Sequence, residues 1–73
     1  MASVYLSFPD GRVVQLRQTD AEAITDRLRA RAEEPGALVC AAVLAQALSR
    51  PTFGRIEIRQ REAAMLASVL DEQ

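Results

Sequence analysis

Histidine and lysine are both absent from the 73-residue sequence, and tryptophan is missing as well. Histidine is the usual general base of enzymes and a common metal ligand, so most hydrolytic mechanisms and ordinary zinc sites lack their usual side chains here. The three glycines stand apart from one another, which excludes a glycine-rich phosphate-binding loop. The sequence therefore predicts a chain that is not an enzyme and has no cofactor or metal site.

Cysteine occurs once, at Cys40, so the chain cannot form an internal disulfide. The surrounding residues 38–43 are all apolar, and such a setting raises the pKa of a thiol and removes it from solvent. We therefore expect Cys40 to be a buried structural residue rather than a nucleophile.

Long apolar segments are also missing, since the longest uninterrupted run covers only residues 37–45. That run is less than half of the ~20 residues that span a bilayer. The sequence begins MASVYLSF, without the basic and long apolar regions of a secretory signal. Together with the lone cysteine, these features predict a cytoplasmic protein with no membrane segment.

Charge of one sign is not in excess, because nine arginines and ten acidic residues give a net charge of −1. Binding to nucleic acid or anionic lipid would therefore require a local basic patch. The arginine-only, alanine-rich composition is typical of a small bacterial protein from a GC-rich genome. Thirteen residues are alanine, so the larger apolar side chains form a thin core, and self-association or a partner is expected to add stability.

A β-hairpin is indicated near the N-terminus. Apolar and polar residues alternate over residues 3–8 and again over residues 13–17, which is the period of half-buried strands. The Pro-Asp-Gly sequence at residues 9–11 suits a bulged hairpin turn, with glycine at the left-handed position. Pairing through this turn places both apolar sets on one face. The expected pairs are Leu6 with Val14 and Val4 with Leu16.

Three helices and a third strand are predicted after the hairpin. The segment Thr19–Glu22 has the sequence of a capping box and predicts the start of the first helix, which Pro35 and Gly36 end. Its predicted core residues are Ala21, Ile24, Leu28 and Ala32. The second helix covers residues 37–48, where alanine favours helix over strand. A loop over residues 50–54, a strand from residue 55 to residue 59 and a last helix over residues 62–70 follow, with Leu66, Val69 and Leu70 as core and Met65 beside them.

The predicted fold is therefore one small α+β domain over residues 1–73. A β-hairpin and a third strand form a three-stranded sheet, with three helices packed on one face, in the order β-β-α-α-β-α. The segment 14–18 resembles the segment 56–60, and each precedes a Glu-Ala pair that lies in a predicted helix. This similarity is consistent either with a duplicated strand–helix unit or with chance, since the pattern is common.

Two surfaces are candidates for binding. The second helix is apolar nearly all round, so Val39, Val43 and Ala47 are candidate interface residues between two copies of the chain. The alternative is that this helix simply forms the core of the monomer. On the outer face of the sheet, Tyr5, Arg17, Arg55 and Arg59 form a candidate nucleic-acid face, because arginine binds phosphate and tyrosine stacks on bases. The alternative there is an ordinary solvated sheet face.

These features predict a non-catalytic protein–protein interaction module that is homodimeric and acts by binding another protein. A small nucleic-acid-binding or regulatory protein that uses the arginine-bearing sheet face is the second hypothesis. An enzyme is the third, because positioned groups for acid–base or nucleophilic chemistry are missing.

Overall fold

Three strands and three helices occur in the computed structural model, which describes residues 3–49 and 54–72. Their order is β-β-α-α-β-α, so the predicted small α+β fold is confirmed. The elements are β1 (Ser3–Ser7), β2 (Val13–Arg17), α1 (Gln18–Ala30), α2 (Ala37–Leu48), β3 (Arg55–Glu57) and α3 (Gln60–Asp71). Within the predicted loop, residues 50–53 lie outside the described residues.

The sheet is mixed, with β1 in the centre and the order β2-β1-β3. The antiparallel β1–β2 pair has the predicted register, with Val4 opposite Leu16 and Leu6 opposite Val14. On its other side β1 pairs in parallel with β3, and Leu6 lies beside Ile56. The third strand is predicted to reach residue 59, but in the structure β3 ends at Glu57. Beyond it, the Ile58 N–H still donates to the Ser7 carbonyl at 2.8 Å.

The hairpin turn has the predicted conformation. Gly11 has a φ of +94°, a value that glycine adopts readily and other residues rarely. The Gly11 N–H donates to the Phe8 carbonyl at 3.0 Å, and the Phe8 N–H donates to the Arg12 carbonyl at 2.8 Å. The Asp10 carboxylate accepts the Arg12 N–H at 2.9 Å, which adds a side-chain hydrogen bond to the turn.

The predicted start of α1 is wrong, because no capping box forms at Thr19. The helix begins at Gln18, with an extended Arg17 as N-cap residue and no side-chain cap. Arg17 is still paired with β1, so the chain passes from strand to helix without the free loop residue that a capping side chain needs. Glu22 lies instead near the Gln18 side-chain amide, at 3.5 Å.

The predicted end of α1 is also wrong. The helix ends at Ala30, five residues before Pro35, and Ala32 is exposed rather than in the core. The N–H of Arg31, the residue after the helix, donates to the Leu28 carbonyl at 3.1 Å in a tighter last turn. Its side chain pairs with Glu34 at 2.7 Å and with Glu72, beyond α3, at 2.6 Å. The guanidinium holds the pKa of the Glu34 carboxyl below its usual value through a hydrogen bond.

Helix α3 begins two residues earlier than predicted. The Glu62 carboxylate turns back to accept the Arg59 backbone N–H at 3.1 Å, which stabilises the first turn. Leu66 and Val69 are buried as predicted, and Leu70 is partly buried.

One contiguous core lies on a single face of the sheet, as predicted. Val4, Leu6 and Leu16 point into it, whereas the alternating residues between them are more exposed. Helix α1 contacts β1, β2 and both other helices, so it forms the centre of the helical layer. The opposite face of the sheet is left uncovered by the described helices.

Candidate interaction surfaces

Helix α2 has a buried and an exposed apolar side. The buried side consists of mostly small residues packed against α1 and α3, with Leu44 as its one large side chain. On the other side Leu38 is 55% exposed and Val39 is 48% exposed, with Ala42 exposed beside them. The helix contains no charged residue. We call Leu38, Val39, Ala42 and Val43 the α2 surface.

The structure separates the three predicted interface residues. Val39 is exposed and Val43 is partly buried, and both belong to the α2 surface. Ala47 is only 3% exposed and lies in the core of the monomer. The all-round apolar sequence of α2 gave no way to distinguish its two sides, because its hydrophobic periodicity is weak. Leu38 was missed for the same reason.

The outer face of the sheet brings Tyr5 and two polar residues into one row. Tyr5 lies opposite Gln15 in the antiparallel pair and opposite Arg55 in the parallel pair. Its ring is exposed, with 41% of the residue accessible. The structure therefore places the predicted Tyr5 and Arg55 side by side across neighbouring strands.

Arg17 and Arg59 extend this face at opposite ends. Both are exposed, and Arg17 is paired with Ser3, one row from Tyr5. Within the described part of the chain, the ion pairs involve other arginines. Glu57 also lies on this face, in the row next to Arg55, and reduces its positive charge. We call Tyr5, Gln15, Arg17, Arg55 and Arg59 the sheet surface.

Cys40 is fully buried, as predicted. Burial raises the pKa of its thiol, and the nearby Glu62 contributes in the same direction. Its Sγ donates a weak hydrogen bond to the Glu62 backbone carbonyl at 3.6 Å. The thiol is therefore held in the protonated form, which is the unreactive one.

We expect Cys40 to react slowly with a soluble alkylating reagent in the folded protein and quickly in denaturant, because reaction needs both access and the thiolate. Replacement of Cys40 by alanine should lower the free energy of unfolding by about 1–2 kcal/mol, as for modest core substitutions. Mass spectrometry of the alkylated protein and urea denaturation measure the two effects. Rapid alkylation of the native thiol at neutral pH would contradict the structural role.

Among residues 3–49 and 54–72, no cluster of three or more histidine, cysteine, aspartate or glutamate side chains has an arrangement that would hold a metal ion. Over the same residues, no helix has the length and apolar character needed to cross a membrane.

Neither family models nor comparisons with curated proteins and solved structures give a significant match to this chain. Its function is therefore inferred from its own surfaces.

Proposed function

We propose that this chain is a non-catalytic protein–protein interaction module that forms a homodimer through the α2 surface. The single observation that carries the proposal is the exposure of Leu38 and Val39 on a helix without charged residues. Large exposed apolar side chains that adjoin one another are typical of protein–protein contacts. A second copy is the occupant that we infer, because two-fold dimers are the commonest assemblies and use one patch twice.

The shape of the α2 surface suits contact with another helix. Leu38 and Ala42 are one turn apart, and so are Val39 and Val43, so the four side chains form two adjacent rows. Ala42 between the larger residues leaves room for a partner side chain and allows a close approach of two helices. With the same helix in both copies, an apolar row of one copy meets an apolar row of the other.

The expected affinity is modest. Full burial of a leucine or valine side chain contributes about 1.5–3 kcal/mol. Leu38 and Val39 are each about half exposed, so burial in a dimer would add about half of this free energy for each side chain. The four such side chains of a dimer bury only a small apolar area compared with a standard interface. The dimer should therefore depend on protein concentration rather than be obligate.

Analytical ultracentrifugation of the purified chain tests the proposal. The mass should rise towards twice the 8.0 kDa of the chain as concentration increases through the micromolar range. A stable monomer at high micromolar concentration would contradict it.

We further propose that the protein works in the cytoplasm of a bacterium. The arginine-only, alanine-rich composition supports the bacterial origin. The free, buried thiol of Cys40 is compatible with a reducing compartment, where structural disulfides are rare.

A second candidate function, binding of single-stranded nucleic acid, is favoured by one specific observation. Tyr5 lies between Gln15 and Arg55 in a single row on the sheet face opposite the described helices. An exposed ring can stack on a base while a neighbouring guanidinium binds phosphate. The presence of one aromatic residue and of Glu57 makes this the weaker candidate.

Replacing both Arg55 and Arg59 by glutamate should abolish such binding, because both side chains are exposed and lie on the sheet surface. The matched control replaces Arg27 and Arg29 of α1, which are also exposed, and makes the same charge change away from the sheet. The affinity of the wild type for a fluorescent oligonucleotide should fall as salt is added. In a plot of log binding constant against log salt concentration, each phosphate contacted should contribute about −0.7 to −0.9 to the slope. Absence of binding at low salt, or equal loss in the control, would remove this candidate.

A further inference from the structure

Within the part of the chain that the structure describes, no strand pairs with the outer side of the edge strand β2. The order β2-β1-β3 makes β2 and β3 the two edges of the sheet. Of these, β3 is only three residues long, whereas β2 has five residues, Val13–Arg17. A regular edge of this length presents backbone groups that another strand can pair with.

The register identifies which backbone groups of β2 face outward. The Phe8 N–H bonds the Arg12 carbonyl, so the bonded pairs between β1 and β2 alternate from there and use Val14 and Leu16. The N–H and C=O groups of Val13 and Gln15 therefore point away from β1. The same alternation holds on the other side of β1, where the Tyr5 N–H donates to the Gly54 carbonyl across to β3.

Among the described residues, β2 lacks three common protections of an edge strand, although its exposed Arg17 is a charged edge residue. The strand contains no proline, and no charged side chain points towards the core, where Leu16 and the half-buried Val14 lie. Val13 is 46% exposed on the opposite face. Natural proteins block edges with prolines, bulges or inward charges when pairing must be avoided.

We propose that the β2 edge binds an extended acidic peptide of a partner protein by strand addition. The partner's apolar side chains would lie beside Val14 and Leu16, and its acidic side chains would lie on the other face beside Arg17. Arg17 is the charged residue of β2 and lies exposed on the face away from the core, so a carboxylate on that face of the peptide has a cationic partner. Main-chain hydrogen bonds would supply affinity and the alternating side chains would supply selectivity.

A second copy of the chain fits this edge less well. If β2 paired with β2 of another copy about Gln15, Arg17 would face Val13 and would find no acidic partner, since β2 contains none. The inference rests on the proposed function only in that the chain binds another protein, and it needs no contact through the α2 surface.

The experiment uses the full chain, isotopically labelled, and a capped synthetic peptide in which valine and glutamate alternate. We expect titration of the peptide to shift the amide resonances of β2. Gln15→Pro removes one outward N–H, and the edge position tolerates proline because this N–H is not bonded to β1. The matched control Gln15→Ala keeps the N–H. We expect at least tenfold weaker binding for Gln15→Pro than for Gln15→Ala.

Modified peptides provide a test that does not depend on the folding of a variant. N-methylation of the peptide residues that bond β2 should abolish binding, whereas methylation of the alternate residues should leave it. Leu38→Glu should bind the peptide as the wild type does, which separates this proposal from the dimer. No shifts at millimolar peptide, or equal binding of both methylated peptides, would overturn it.

Discussion

Replacement of Leu38 by glutamate should dissociate the dimer while the chain stays folded. Leu38 is 55% exposed and is the second residue of α2, where an acidic side chain interacts favourably with the helix dipole. In the dimer two carboxylates would be desolvated without partners, at a total cost of about 3 kcal/mol, which corresponds to about a hundredfold weaker dimer. Sedimentation equilibrium measures the constant, and circular dichroism checks the fold.

Ala64→Glu is the matched control for this change. Ala64 is an exposed residue of α3, and it lines a cleft together with the hairpin residues Phe8 and Pro9. The variant therefore carries the same added charge away from the α2 surface, and it should dimerise as the wild type does. Equal weakening by both variants would mean that net charge, rather than the α2 surface, governs association.

Replacement of Leu44 by alanine should have the largest effect on stability. Leu44 is fully buried on the inner side of α2, and a leucine-to-alanine change in a core costs about 2–5 kcal/mol because it leaves a cavity. Small domains have only ~5–15 kcal/mol of total stability, so this loss is a large fraction of it and the midpoint of urea unfolding should fall clearly. Urea denaturation followed by circular dichroism measures the loss.

Leu38→Ala provides the internal comparison, because it makes the same chemical change on the same helix. At dilute, monomeric concentration its effect should be within about 0.5 kcal/mol, as for a surface substitution. Similar losses for Leu44→Ala and Leu38→Ala would show that the described orientation of α2 is wrong.

The hairpin was predictable from the sequence because two independent signals agreed. The turn residues required a left-handed glycine at Gly11, and the alternation of apolar residues required one register. Both requirements were local in sequence. The parallel pairing of β3 with β1 was not predictable in the same way, because the two strands are far apart in the chain and no local signal specifies the partner strand.

Helix ends were less predictable because tertiary contacts determined them. A capping sequence at Thr19 was overridden by the ladder that extends to Arg17. Arg31, directly after the early end of α1, bonds Glu72, which lies 41 residues further along the sequence. Local sequence rules contain no information about such partners.

The candidate surfaces were predictable in part. Alternation placed Tyr5 and Arg55 on one face, and the register then put them side by side. For α2 the sequence predicted the helix bounds but not which side is buried, since small and apolar residues surround the axis. The open edge of β2 became visible only when the strand order was known.

The similarity between residues 14–18 and 56–60 has a structural counterpart. Gln18 and Gln60 are both first residues of helices, and both N-cap residues, Arg17 and Arg59, are extended. Helix α1 follows β2 directly, whereas two residues separate α3 from β3. Leu16 and Ile58 occupy equivalent buried positions before the two helices. A duplicated strand–helix unit stays a hypothesis, because such a transition is also common in unrelated chains.

The contact between two α2 helices is tested most directly by isotope-filtered nuclear magnetic resonance on a mixture of labelled and unlabelled chains. This measurement detects only pairs of protons that lie close together in different copies. The proposed dimer predicts intermolecular signals among the methyl groups of Leu38, Val39 and Val43. Intermolecular signals confined to β2, or none at concentrations where a dimer sediments, would contradict it.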